Sequence, residues 1–199
     1  MPSTLWSAPT AQPNSASVTT SSFTTAALTD VSPAVCEIPA GMISAGTRIR
    51  LHATGNYTAT TTASALKWGF YLTQAGSAIS ATASAALAET ASTLAVVATA
   101  WPFILDYSGL FNAVAVSQNA TTGKITGQGW SLLPVTDLVH FTGPVPMPQT
   151  AAARTVTQTA TITGLNTLTN LIAMLGITVA TNTGFSNVVV DELTCELLG

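Results

Sequence analysis

Leu66-Lys67-Trp68-Gly69-Phe70-Tyr71-Leu72-Thr73 alternates without a break. In an extended chain Leu66, Trp68, Phe70 and Leu72 fall on one side, and Lys67, Gly69, Tyr71 and Thr73 on the other, because a strand repeats every two residues. A helix would scatter the four large apolar side chains around its axis. The stretch therefore predicts a strand, and the same pattern recurs along the chain. Ala34, Cys36 and Ile38 share a face ahead of the turn signal Pro39-Ala40-Gly41. Ile49, Leu51 and Ala53 point one way and Arg48, Arg50 and His52 the other, with Gly55-Asn56 closing that strand. Trp101, Phe103, Leu105 and Tyr107 alternate around an outward Asp106, and Ser108-Gly109 reads as a turn.

The later segments continue the theme. Asn112 to Val116 is a weak strand. Lys124 to Leu132 sets Trp130 and Leu132 on the same side as Thr126 and Gln128, while Gly127 and Gly129 mark a bulge or a close backbone approach. Val156, Gln158, Ala160 and Ile162 alternate with threonines, and Leu171, Ala173, Leu175, Ile177 and Val179 form a nearly all-apolar run. The last strand puts Val189, Leu193, Cys195 and Leu197 on one face, with Val190, Glu192 and Glu196 opposite. The Ala-rich stretch 78–100 reads as strand plus loop. Residues 134–153, with Pro134, Pro144, Pro146 and Pro148, read as a long loop. About eight strands with no amphipathic helix predict an all-β fold, a two-sheet antiparallel sandwich over 31–199. Residues 1–30, Pro-containing and polar, predict an extended N-terminal arm whose anchors are Trp6 and Phe23. Such an arm gains order by lying on a neighbouring chain.

Composition narrows function. Five Lys/Arg and eight Asp/Glu stand among 199 residues, whereas Ala and Thr supply 67. A charged fraction of 7%, against about 25% in ordinary domains, leaves few ionisable groups to cluster for catalysis. Five cations and a net charge of −3 do not make the basic stripe that nucleic acid requires, so no nucleic-acid partner is expected. The most apolar stretch, Thr93 to Leu105, contains Pro102 and is too short to cross a bilayer, so no membrane partner is expected either. Met1 to Trp6 lacks the cationic and apolar regions of a secretory signal, which predicts synthesis in a cytoplasm without export.

Motifs for chemistry are sparse. His52 has no carboxylate within ten residues, His140 follows Asp137 on a loop, and no G-x-S-x-G elbow is present. Glu192 and Glu196, four residues apart on a strand, sit too far from each other for a retaining glycosidase pair. No catalytic residue, cofactor or metal is therefore expected. Cys36 and Cys195 lack zinc or redox spacing and read as buried thiols near the two ends, with a disulfide left open. Trp68 and Trp101 read as core. Trp130, beside Gln128, is the tryptophan best placed for a surface or interface, and with Trp6 and Phe23 it makes the set of candidate interface residues.

One resemblance joins these features. Ser7-Ala8-Pro9, Asp30-Val31-Ser32-Pro33, Ile38-Pro39-Ala40-Gly41 and the Gly46-to-Leu51 segment come first in the chain. The Leu66-to-Leu72 strand, a Trp-led strand at Trp101, Gly127-Gln128-Gly129 and a closing Val188-to-Leu193 segment follow. The order resembles single jelly-roll structural proteins of tailed bacteriophages of actinobacteria, which decorate the capsid or form minor virion components. The resemblance implies a homotrimer on the outer capsid surface that bridges major capsid subunits and carries no catalytic residues. A receptor- or glycan-binding jelly roll is the alternative.

Overall fold

The computed structural model describes residues 4–7, 18–20, 23, 27–33, 36–60, 65–76, 85–89, 93–94, 98–113, 122–132, 145–147, 158–163, 169–180 and 185–199. Within them the chain is all-β, two antiparallel sheets with no helix. The strands in chain order begin with β1 (Thr4–Ser7), β2 (Val18–Thr20), β3 (Leu28–Asp30), β4 (Cys36–Ile38) and β5 (Arg48–Ala59). Next come β6 (Ala65–Gln74), β7 (Ala85–Glu89), β8 (Thr93–Leu94), β9 (Ala98–Ala113) and β10 (Thr122–Leu132). The last are β11 (Val145–Met147), β12 (Gln158–Thr163), β13 (Leu171–Val179) and β14 (Phe185–Leu198).

The larger sheet runs β14-β5-β9-β10 through its middle, and the smaller one is centred on β13 and β6. Each outer edge is made of two short pieces laid along one long strand. β1 and β2 pair with β14, β11 and β12 with β10, β3 and β4 with β13, and β7 and β8 with β6. Where β3 and β4 part, the ladder is patched: Val31 N–H donates to the Leu175 carbonyl at 3.0 Å, and Leu175 N–H donates to Ser32 Oγ at 2.9 Å.

The core follows the sequence alternation. Leu66, Trp68, Phe70 and Leu72 of β6 face Leu51, Phe103, Leu105 and Tyr107 of the larger sheet in one buried cluster, with the Trp68 and Phe103 ring centroids 4.4 Å apart. Trp101 packs on the rim of that cluster. Phe23, expected as an anchor on a neighbour, is 7% exposed and belongs to the core of its own chain. The three strands within the first thirty residues likewise run along β14 and β13 of the same chain.

The stretch 134–153, read as a loop, contains the edge strand β11 paired with β10, and three further readings differ from the sequence expectation. Gly55 does not close β5, which continues to Ala59. A Cβ at residue 55 would strike the Val189 carbonyl oxygen and come within 2.8 Å of the Phe103 ring, so glycine lets neighbouring strands approach. Ser108-Gly109 does not turn the chain, because β9 runs on to Ala113. Gly109 faces the core, where a Cβ would lie 2.5 Å from the Tyr107 hydroxyl. In β14 the register slips between Val190 and Glu192. This β-bulge reverses the alternation, so Val188 and Val190 point inward together with Leu193, Cys195 and Leu197, and Val189 points outward.

Part of the smaller sheet's far side is buried as well. Tyr71, Thr73 and Met174 alternate away from the sandwich core and are nonetheless buried. Tyr71 and Leu28 lie over Gly176, where a Cβ would sit 2.6 Å from Leu28 Cδ1 and 2.8 Å from Tyr71 Cε2.

Candidate functional site

The polar side chains gather on the outer face of the larger sheet. Because inner positions alternate with outer ones, β5 presents Arg48, Arg50, His52, Thr54 and Asn56 there. Antiparallel register sets these against neighbours on both sides. One row reads Thr194, His52, Asp106 and the position of Trp130; the next reads Glu196, Arg50, Ser108 and the position of Gln128. For Trp130, as for Trp6 on β1, the structure describes the strand position only. His140 lies outside the described residues.

Asp106 is the hub. Its Oδ2 lies 3.3 Å from His52 Nδ1 and 3.6 Å from an Arg50 guanidinium nitrogen. The carboxylate is 15% exposed, His52 28% and Arg50 54%, so the group is graded from the sheet surface into solvent. One carboxylate shared by a permanent cation and an imidazole is a locally balanced arrangement. Exposed pairs of this kind contribute about 0–1 kcal/mol.

Chemically, an Asp-oriented imidazole is the half of a triad that makes a base. The other half would need a nucleophile and donors for an oxyanion. Thr194 occupies the adjoining register position, but the backbone of β5 is paired with β14 on one side and β9 on the other. The amides around His52 are thus committed to the ladder. Elsewhere, Glu89 accepts the Tyr71 hydroxyl at 2.7 Å and pairs with Lys67 at 3.0 Å on the smaller sheet. Asn170 donates to Glu37 at 2.6 Å and accepts from the Ala40 amide at 2.9 Å, fastening the turn after β4 to β13. Both groups bind pieces of an edge to the sheet. Among the described residues no group of three metal-ligating side chains is present.

Two buried polar side-chain atoms lack a partner among the described residues: Asn187 Oδ1, and the Tyr107 hydroxyl, which rests over Gly109 and Gly127. Burial raises the Tyr107 pKa well above the usual phenol range. Burial also raises Cys36, to about 11, with the Asp30 charge adding to it. Gly127 was legible as a close approach, since a Cβ there would meet the Tyr107 ring at 2.5 Å. The partnership of His52 with Asp106, 54 residues apart, was not legible from spacing. The available signal was that alternation sets both residues outward; only the strand order β5-β9 brings them together. No helix among the described residues is long and apolar enough to cross a membrane. No protein-family model, curated protein or solved structure matches the chain.

Proposed function

We propose that the chain is a non-enzymatic structural subunit of a virus particle, a jelly-roll decoration protein that self-associates, as a homotrimer, and bridges major capsid subunits on the outer shell. The order in which the chain visits the two sheets carries this reading. β1 and β2 lie in the larger sheet, β3 and β4 in the smaller, β5 in the larger, β6 to β8 in the smaller, β9 in the larger, β13 in the smaller and β14 in the larger. This wrapping from sheet to sheet is what a jelly roll does, and β10 to β12 extend the larger sheet beyond it. The near-absence of charge supports binding by shape, because burying unpaired ions at a tight contact is costly. Many modest contacts then add up through multivalency. Particles made without the protein should release their DNA at a lower temperature than complete ones, and identical release profiles would refute the cementing role.

A receptor- or glycan-binding jelly roll is the second reading. It is favoured by the register row that sets the Trp130 position beside Asp106 and His52, since aromatic and hydrogen-bonding groups together suit a sugar. Trp130→Ala should then abolish adsorption to cells or sugar and leave particle assembly intact.

A further inference from the structure

Cys36 and Cys195 are the chain's two cysteines, and both are free and buried. They belong to different sheets: Cys36 sits in β4 at the edge of the smaller one, Cys195 near the end of β14 in the larger. Both point into the same core cluster. The Cys36 thiol reaches the carbonyl oxygen of Leu193 at 3.9 Å. Leu193 is the inward neighbour of Cys195 on β14, two residues away on the same face. The sheets are close here, since Cα atoms of β13, which carries β4, approach those of β14 within 8 Å. Burial raises Cys195 far above the ordinary thiol range, with Cys36 and Glu196 adding to it.

We propose that Cys36 and Cys195 form a redox pair that closes into a disulfide between the two sheets. The partner chemistry is a low-molecular-weight disulfide such as oxidised glutathione. The Cys36 thiolate attacks one glutathione sulfur, and one glutathione leaves as thiolate. The Cys195 thiolate then attacks Cys36 in the mixed disulfide and expels the second glutathione. Two protons pass to solvent and two electrons to the glutathione pair, which ends reduced. Inter-sheet bridges of this kind occur in immunoglobulin sandwiches, so sheet separation does not forbid the bond. The remaining adjustment falls on β4, a three-residue edge strand held by β13. Since thiolate is the attacking species and both thiols are buried as the neutral form, closure waits on opening of β4 and is slow in the native protein. The bond would join residues 36 and 195 and so enclose most of the chain in one loop, where cross-linking is most effective in restricting the unfolded state.

The full-length protein is incubated with oxidised glutathione, with and without mild urea, then denatured, alkylated and weighed. The expected product is a monomer lighter by two hydrogens, with both cysteines resisting alkylation and a single linked peptide containing residues 36 and 195. Its Tm rises by roughly 10 °C and returns on addition of dithiothreitol. C36A and C195A each abolish that product; should either fail to fold, the mass of the unaltered chain still decides. Full alkylation under every condition, stable glutathione adducts on both cysteines, or disulfide-linked dimers would each overturn the proposal.

Discussion

At the scale of single residues the core holds one conspicuous compromise, the stacking of the Tyr107 hydroxyl on Gly109 and Gly127. A buried hydroxyl without a partner costs about 1–3 kcal/mol, while the ring itself contributes packing that phenylalanine would keep. Tyr107→Phe should therefore leave the urea midpoint unchanged or raise it. A loss above about 1 kcal/mol would mean that the hydroxyl has a partner. Gly127→Ala should cost about 1–3 kcal/mol, since its methyl must displace a ring wedged between sheets. The two substitutions should couple in a double-mutant cycle, because the hydroxyl is the nearest atom to the added methyl. The sequence allowed half of this to be read. Gly127 stood out as a break in an alternating run, but which side chain would lie on it depended on β9 pairing with β10 at Gly109–Gly127.

At the scale of elements, periodicity was legible where a long strand keeps one face apolar throughout, as in β6 and β13. It misled at two glycines and one bulge. Gly55 and Ser108-Gly109 carry the composition of turns, yet they lie mid-strand because neighbouring strands and rings need the space. In β14 the extra residue Asp191 reverses the face of everything before it, and nothing local announces the slip. The polar cluster was hidden for a different reason, since cross-strand neighbours are set by sheet order rather than by spacing. The bulge itself can be tested. Deleting Asp191 leaves Val188, Val190, Leu193, Cys195 and Leu197 in strict alternation, so the shortened chain should fold and melt within a few degrees of the parent. Deleting Thr194 turns Cys195 and Leu197 toward solvent; burial of a leucine alone is worth about 2–3 kcal/mol, and that variant should lose cooperative unfolding. Equal damage from both deletions, read by thermal melts, would show that the bulge is required for folding.

At the scale of the whole molecule, no outer edge of either sheet is one unbroken strand among the described residues, and interrupted edges resist pairing with another chain. Removing residues 1–20 would take β1 and β2 from β14 and leave that edge bare. Sedimentation should then show concentration-dependent association, and an unchanged monomer or trimer distribution would show that the edge needs no cover. The buried thiols and phenols give the molecule a second collective property, an alkaline limit. Cys36 rises from 9.0 to about 11, chiefly by burial and then by the Asp30 charge. Tyr71, Tyr107 and Cys195 are raised as well, Tyr71 by burial and then by its bond to Glu89. Each group stays protonated in the fold while the unfolded chain releases its proton, so between the two pKa values the unfolded state binds fewer protons. Stability is whole below pH 9 and falls as pH rises toward 11, by about 1.4 kcal/mol per pH unit for each group in that window. Urea midpoints at pH 8, 9, 10 and 10.5, taken with reductant present, should begin to fall near pH 9 and decline steeply in the last two. Cys36→Ala should make that decline shallower even though it lowers the plateau, because it removes a titrating group as well as core volume. A parent chain whose midpoint stays flat to pH 10.5 would mean that water reaches these groups, and the dry interface between the sheets would have to be abandoned with it.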